Sequence, residues 1–241
     1  DGDLTLTSGN SSGITDSGTV TVGGNFSATT DANSGVINMG TMAVDGSFTL
    51  APNSTGAVTI VNDAGLNLAA STMGGTFSGT ATTGNITDSG ALAITGTTTL
   101  VTSADDATIT LDTTTNAFTG ALTITTNDSS GTDADVTIDG GTTALIIAAS
   151  TIDGDLTLTS GNSSGITDSG TVTVGGNLSA TTDANSGVID LGTAAVTGTV
   201  ALTTNGSGNA TVDNGTLNIE LAASNVGGNL TVTSGNSSGI T

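Results

Sequence analysis

The stretch DGDLTLTSGNSSGITDSGTVTVGGNF, residues 1–26, decides the fold of this chain. In its segments LTLT and VTV, apolar residues alternate with Thr, so every second side chain falls on the same side. This period of two predicts short β-strands with one buried and one exposed face. Thr and Val favour such a half-buried, pleated state, and no stretch of the chain shows the i, i+3, i+4 spacing of a helix.

The chain contains a long internal repeat. Residues Asp1–Ile37 recur as Asp153–Ile189, an offset of 152 residues, with Leu178 in place of Phe26. We therefore expect a single continuous β-solenoid segment over residues 1–241, with the long repeat over 1–152 and a partial copy over 153–241. A third partial copy stops inside the motif at the last residue, which predicts a window of a longer natural protein.

A shorter repeat lies within the long one. A Gly followed by alternating apolar residues begins at Gly2, Gly24 and Gly46, a step of 22 residues. Longer steps occur where segments such as LNLAAST, residues 66–72, are inserted. Later copies of this motif begin near Phe77, Leu100, Leu122, Leu156, Leu178, Val200 and Leu230.

The separators between the alternating segments are SGNSSG, DSG, VGGN and TGT. They supply Gly, Asn and Asp, which tolerate positive φ at corners. A coil of about 22 residues cannot bury its apolar edge alone, so successive coils must stack. The sequence thus predicts an all-β, parallel β-helix with about three short strands per coil, right-handed because that crossover is favoured. About ten coils at about 4.8 Å each would form a rod about 50 Å long.

The alternation also predicts the core. One apolar row per strand points inward and forms ladders along the axis, and each such side chain contributes about 1.5–3 kcal/mol on burial. The side chains predicted to point inward are Leu4, Leu6, Phe26, Phe48, Val58, Ile60, Phe77, Ile109, Leu111, Phe118, Leu156 and Leu158.

The composition removes most chemistries. The chain has no Lys, Arg, His or Cys and carries a formal charge of −21. General base catalysis at neutral pH usually uses His, and nucleic-acid binding needs cations to displace counterions from phosphate. The nearest pair for an acid hydrolase, Asp105 and Asp106, consists of neighbours whose side chains point to opposite faces of a strand. We expect no enzyme, no nucleic-acid partner, no required cofactor and no membrane insertion in this segment, since no apolar run approaches about 20 residues.

A resemblance to a known family is carried by the segment Gly84–Thr125. Its motifs ITDSG (Ile86–Gly90, and again Ile166–Gly170), TGTTTL (Thr95–Leu100) and NAFTGAL (Asn116–Leu122) resemble the β-strand repeats of filamentous-haemagglutinin-like exoproteins, which are giant bacterial surface and secreted proteins. The resemblance implies a right-handed parallel β-helix, an extracellular or cell-surface location, and a role in adhesion, biofilm or fibre formation.

Carboxylates are the main candidates for a binding site. The densest cluster contains Asp128, Asp133, Asp135 and Asp139. With the apolar residues of this strand inward, Asp133, Asp135 and Asp139 fall on one outward face, where oxygen ligands could hold Ca²⁺. The competing interpretation is that they are solvating residues around a loop. The net charge also predicts diffuse cations, because about 21 charges over about 50 Å lie closer together than the Debye length of about 8 Å.

Three functions remain open from the sequence. The first is an extracellular structural fibre whose partner is the protein itself, by end-to-end continuation or stacking and by lateral bundling. The second is the shaft of a bacterial adhesin whose binding domain lies elsewhere. The third, a minor alternative, is an ice-binding or cation-binding solenoid. Ice binding would use Thr-x-Thr pairs on one flat face, namely Thr5/Thr7, Thr123/Thr125, Thr157/Thr159 and Thr231/Thr233.

Overall fold

A computed structural model describes residues 2–31, 33–129 and 133–241. It confirms the predicted fold class: parallel strands stack into a β-solenoid of about ten turns with roughly 22 residues per turn, and these residues include no helices. The strands, in chain order, are β1 (Leu4–Ser8), β2 (Ile14–Thr15), β3 (Val20–Val22), β4 (Phe26–Thr30), β5 (Ile37–Val44), β6 (Ser47–Ala51), β7 (Val58–Asn62), β8 (Leu66–Leu68), β9 (Ser71–Met73), β10 (Phe77–Ala81), β11 (Ile86–Asp88), β12 (Leu92–Ile94), β13 (Thr98–Asp105), β14 (Ile109–Leu111), β15 (Ala117–Phe118), β16 (Leu122–Asn127), β17 (Val136–Asp139), β18 (Leu145–Ile147), β19 (Ser150–Ile152), β20 (Leu156–Ser160), β21 (Ile166–Asp168), β22 (Val172–Val174), β23 (Leu178–Thr182), β24 (Ile189–Leu191), β25 (Ala194–Val196), β26 (Thr199–Thr204), β27 (Ala210–Asp213), β28 (Glu220–Leu221) and β29 (Leu230–Thr233).

Two long sheets run the length of the solenoid. Sheet A has the order β1-β4-β6-β8-β11-β14-β17-β20-β23-β26-β28, and we number the coils 1 to 11 by these strands. Sheet B follows the order β2-β5-β7-β10-β13-β16-β18-β21-β24-β27-β29. Short side strands complete most coils: β3, β19, β22 and β25 pair at the margin of sheet B, and β9, β12 and β15 form a separate three-stranded sheet.

The core is one hydrophobic cluster that extends from Ile14 to Ile219. The inward predictions are confirmed, because ten of the twelve side chains have relative exposures of 0 or 1%. Leu4 and Leu6 are only partly buried, since β1 is the first strand of sheet A and is stacked on one side alone. The aromatic rings of Phe26 and Phe48 pack in successive coils with centroids 5.8 Å apart.

The corners use the residues that the separators supply. Gly165, in the separator SGNSSG, has φ +65, and a Cβ there would collide with the carbonyl oxygen of Val188 in the next coil. The backbone approach is possible only without a side chain. Asn33 and Asn185, which are 152 residues apart, have φ 58 and 55 at the corresponding turn of two coils. Both features repeat because the long repeat returns to the same place in the coil.

The motif copies do not all lie on one sheet. We call the strands that carry the Gly-led motif the motif strands: β1, β4, β6, β10, β13, β16, β20, β23, β26 and β29. The first three lie on sheet A, the next three on sheet B, the next three on sheet A again, and the last on sheet B. Six motif copies therefore fill the seven coils from β1 up to β20. Two inserted segments, LNLAAST at residues 66–72 and LIIAAST at residues 145–151, supply the remaining length.

The first insert shows how the motif changes sheet. After β7, residues 63–65 turn directly into β8, so coil 3 has two strands where the sequence predicted three. Strand β8 stacks on the motif strand β6, with Phe48 paired to Leu68. The next motif strand, β10, then stacks on β7 of sheet B, with Phe77 paired to Val58.

Coil 3 has no third strand, and the side chain of Asn62 makes the hydrogen bonds that the backbone of such a strand would make. Its Oδ1 accepts a hydrogen bond from Val44 N at 2.9 Å, and its Nδ2 donates to Val44 O at 3.0 Å and to Gly65 O at 2.7 Å. Asn62 is fully buried. Asn214, 152 residues later, makes the same pair of bonds to Val196. A side-chain amide carries the same donor and acceptor as a peptide group, so it can end a parallel ladder without an unpaired buried group.

A serine bonds the last motif strand before each change of sheet. Ser71 Oγ accepts a hydrogen bond from Leu50 N at 2.9 Å and donates to Ala69 O at 2.8 Å. Ser150 makes the same bonds to Ile124 N and Ala148 O. Each serine follows two alanines in the sequence, and the third copy, at Ser224, bonds Leu202 N. The Ala-Ala-Ser triplet thus marks the three positions where the motif changes sheet.

Candidate functional surface

The outward polar side chains form ladders between coils. Asp155 N donates to Asp135 Oδ1 at 2.7 Å, Asn177 N donates to Asp155 Oδ1 at 2.7 Å, and Thr199 N donates to Asn177 Oδ1 at 2.9 Å. Each of these residues precedes the first inward residue of a sheet A strand. A carboxylate or amide oxygen at this position therefore accepts a hydrogen bond that connects the corner of one coil to the next coil.

The ITDSG motif forms a second ladder. Asp16 accepts hydrogen bonds from Gly40 N at 3.0 Å and from Thr41 N at 2.7 Å in the next coil, and Asp168 accepts from Thr193 N at 2.7 Å. Desolvation by itself raises the pKa of Asp16, but these bonds and one from the Thr41 hydroxyl outweigh it and lower the pKa. The motif that carries the family resemblance therefore has a structural role in the described coils.

The structure separates two of the three predicted calcium ligands, Asp135 and Asp139, along β17. Val136 and Ile138 are buried, so Asp135 and Asp139 do lie on the outward side of β17. Residues four apart on an extended strand are about 13 Å from each other, whereas Ca²⁺ ligands lie about 2.3–2.6 Å from the ion. Asp135 accepts a hydrogen bond from Asp155 N at the start of coil 8. Asp133, which precedes Asp135 in the chain, is exposed. In the described part of the chain, no group of three or more acidic residues is placed to hold a metal ion.

Asp139 is instead within electrostatic reach of carboxylates of other coils. Its Oδ1 accepts a hydrogen bond from Gly141 N at 2.7 Å. Desolvation raises the pKa of Asp139, the Gly141 bond lowers it, and the charges of Asp183, Asp112 and Asp88 raise it further, with a net increase. The sequence hides this grouping because the four aspartates are distributed over nearly a hundred residues.

A second acidic corner joins coils 5 and 6. The Asp105 carboxylate accepts hydrogen bonds from Asn127 Nδ2 at 2.8 Å and Ser129 Oγ at 2.6 Å. Asp106 adopts φ 60, and desolvation together with the charges of Asp128, Asp133 and Asp105 raises its pKa. The alternation predicted opposite faces for Asp105 and Asp106, but Asp106 lies in a turn after the strand. The sequence places Asp128 close to Asp133 but does not show that Asp105 and Asp106 lie near them, because the two pairs belong to different coils.

The Thr-x-Thr pairs do not share one face. Thr5/Thr7 and Thr157/Thr159 lie on β1 and β20 of sheet A, whereas Thr123/Thr125 and Thr231/Thr233 lie on β16 and β29 of sheet B. The prediction of a single flat Thr face was wrong, because the motif changes sheet at each insert. The ice-binding alternative loses the observation on which it depended.

Comparison with known families places these features in a repeat unit. A family model described as repeats of unknown function (DUF5649) matches residues 55–125 and residues 133–203, together more than half of the chain. The chain belongs to the DUF5649 repeat family. No curated protein and no solved structure matches it.

The two DUF5649 repeats are related by an exchange of sheets. The first contains the ten strands β7 to β16 and the second the ten strands β17 to β26. Taken in order, every strand of the first repeat on sheet A corresponds to one of the second on sheet B, and every strand on B to one on A. The three motif strands of the first repeat therefore face one side of the solenoid, and those of the second face the other.

The described residues include no helix with the length and hydropathy to span a bilayer. What the DUF5649 surface offers is repetition: hydroxyl, amide and carboxylate groups recur once per coil, and many of the carboxylates are engaged in holding successive coils together.

Proposed function

We propose that this DUF5649 chain is a segment of an extracellular structural filament made of stacked solenoid coils, which supports cell-surface, matrix or biofilm architecture. The observation that carries the proposal is the single hydrophobic core that runs without a break from Ile14 to Ile219. Because each coil contacts mainly its neighbours, adding coils lengthens the rod without a new kind of contact.

Axial hydrogen bonds give this rod its mechanical continuity. Neighbouring strands within each sheet are parallel and in register over many coils. Outward ladders such as that from Asp135 through Asp155 and Asn177 add side-chain bonds along the same axis. Tension along the rod must break several of these bonds in the same coil at once, which suits a load-carrying filament.

The location rests on the resemblance to filamentous-haemagglutinin-like exoproteins, which are exported to the bacterial surface. The same resemblance supports an alternative role as the shaft of an adhesin, whose binding domain would lie outside this segment. A continuous solenoid core serves either role. The proposal involves no catalysis, and it assigns to cations the diffuse task of screening the net charge of −21 rather than filling one site.

Imaging of the producing cells tests the proposal. An antibody against the purified chain is applied to intact cells and detected by immunogold electron microscopy, with cells lacking the gene as the control. We expect label along long, uniform surface filaments whose diffraction shows the strand spacing of about 4.8 Å along the axis. Short rods with a globular tip would indicate the adhesin shaft, and label confined to the cell interior would overturn both.

A further inference from the structure

Two outward positions on each motif strand together form uncharged panels. Their register aligns Thr5 with Ser27 and Thr49, then Ser78 with Thr99 and Thr123, and then Thr157 with Ser179 and Ala201. The twenty outward positions are Thr5, Thr7, Ser27, Thr29, Thr49, Ala51, Ser78, Thr80, Thr99, Val101, Thr123, Thr125, Thr157, Thr159, Ser179, Thr181, Ala201, Thr203, Thr231 and Thr233. We call each group of three consecutive motif strands a neutral panel.

Charge avoids these panels. The chain has 21 acidic residues, and none occupies any of the twenty positions. One carboxylate, Asp105, lies at the end of the motif strand β13, outside the panel positions. The others lie on corners and on the other strands, as Asp139 does on sheet A and Asp190 does on sheet B. A second copy carrying the same charge is therefore repelled by the corners and least repelled by the panels.

The spacing of the panels identifies the partner. Their hydroxyl and methyl groups recur once per coil, and a surface that matches such a row over several coils must have the same axial repeat. Another copy of this chain has that repeat. Rows of identical β-branched side chains on facing sheets can interdigitate and exclude water. No cation is needed at such a contact, unlike at the acidic corners.

We propose that neighbouring rods associate side by side through their neutral panels. The inference rests on the proposed filament function and names the surface through which filaments bundle. Because the panels alternate between sheet A and sheet B along the axis, each rod can hold neighbours on two sides. Association then extends into lateral arrays rather than ending at a dimer.

A single panel gives a weak contact. Three coils at about 4.8 Å and a width of about 10 Å cover about 150 Å², well below the roughly 800 Å² that each partner buries in a standard interface. Strength accumulates along a long rod because panels on the same sheet bind the same neighbour once the first is engaged. A cross-linking assay suits such a contact, since it captures brief encounters.

Single-cysteine variants test the panels directly, because the full chain has no Cys. Thr99→Cys lies in the sheet B panel and Ser179→Cys in a sheet A panel, and both side chains are only partly exposed. The control is Thr110→Cys, an equally outward position between Thr87 and Thr137 that belongs to no panel. A short bismaleimide should join two chains of either panel variant about ten-fold faster than two chains of the control.

Salt and charge variants complete the test. Panel cross-linking should accelerate as salt rises, since the Debye length falls from about 30 Å at 0.01 M to about 3 Å at 1 M. Thr123→Asp added to Thr99→Cys should abolish the advantage, whereas Thr137→Asp should not. Equal rates for Thr99→Cys and Thr110→Cys at both salt concentrations would overturn the panel proposal. That result would leave the filament proposal standing, because imaging of single filaments does not depend on bundling.

Discussion

Replacement of Asn62 by Leu should destabilise the middle of coils 2 to 4. The substitution keeps a similar shape but leaves Val44 N, Val44 O and Gly65 O without their partner in a fully buried position. Each unpaired buried group costs about 1–3 kcal/mol, and burial of the Leu side chain recovers about 1.5–3 kcal/mol. At the middle of these ranges, three unpaired groups cost about 6 kcal/mol and the Leu side chain recovers about 2 kcal/mol, so the net loss in local unfolding free energy should be about 4 kcal/mol.

The measurement must be local, because solenoids open repeat by repeat. Hydrogen exchange followed by mass spectrometry compares peptides of coils 2–4 with those of coils 8–10. Asn38→Leu, at an exposed outward position of β5, is the matched control. Asn214→Leu should produce the same loss near Val196, and the double variant should show both losses independently, since the sites lie seven coils apart. If Asn62→Leu differs from Asn38→Leu by less than about 0.5 kcal/mol, Asn62 does not replace missing backbone.

Three further predictions concern charge and polarity. Thr98→Val should raise stability by about 1 kcal/mol in urea unfolding, because the buried Thr98 Oγ1 has no hydrogen-bond partner; a loss would mean that the hydroxyl is satisfied. Asp139→Asn should stabilise coil 7 at pH 7 but not below pH 3.8. Because the pKa of Asp139 is raised in the folded state, ionisation of this carboxyl at pH 7 destabilises the fold, and this cost vanishes at a pH where the carboxyl is protonated in both the folded and the unfolded state. A gain independent of pH would refute this. Ca²⁺ and Mg²⁺ at millimolar concentration should raise the Tm equally over chelator in low salt, because the cations act diffusely; a rise specific to Ca²⁺ that Asp133→Asn abolishes would restore the local site.

The sequence by itself determined which side chains point inward. The period of two assigns Phe48, Ile60 and Leu111 to the core wherever a strand forms, and all three are buried. The spacing of the Gly-led motif also predicted the coil length, because about 22 residues are needed to complete one turn with its corners.

The structure alone decided on which side of the solenoid each residue lies. Sheet A and sheet B show the same alternation, so LNL at residues 66–68 and LTL at residues 4–6 have the same local pattern. Only the stacking of β8 on β6 shows that the insert occupies sheet A and moves the motif to sheet B. The sheet to which a strand belongs depends on the number of corners that precede it in the chain. The alternation within one strand carries no information about that number. For the same reason the sequence did not show that Asp139 lies near Asp183, since stacked coils bring together residues about 22 positions apart or a multiple of that. It also did not show that Asp135 and Asp139 are separated, although residues four apart on one strand are about 13 Å from each other.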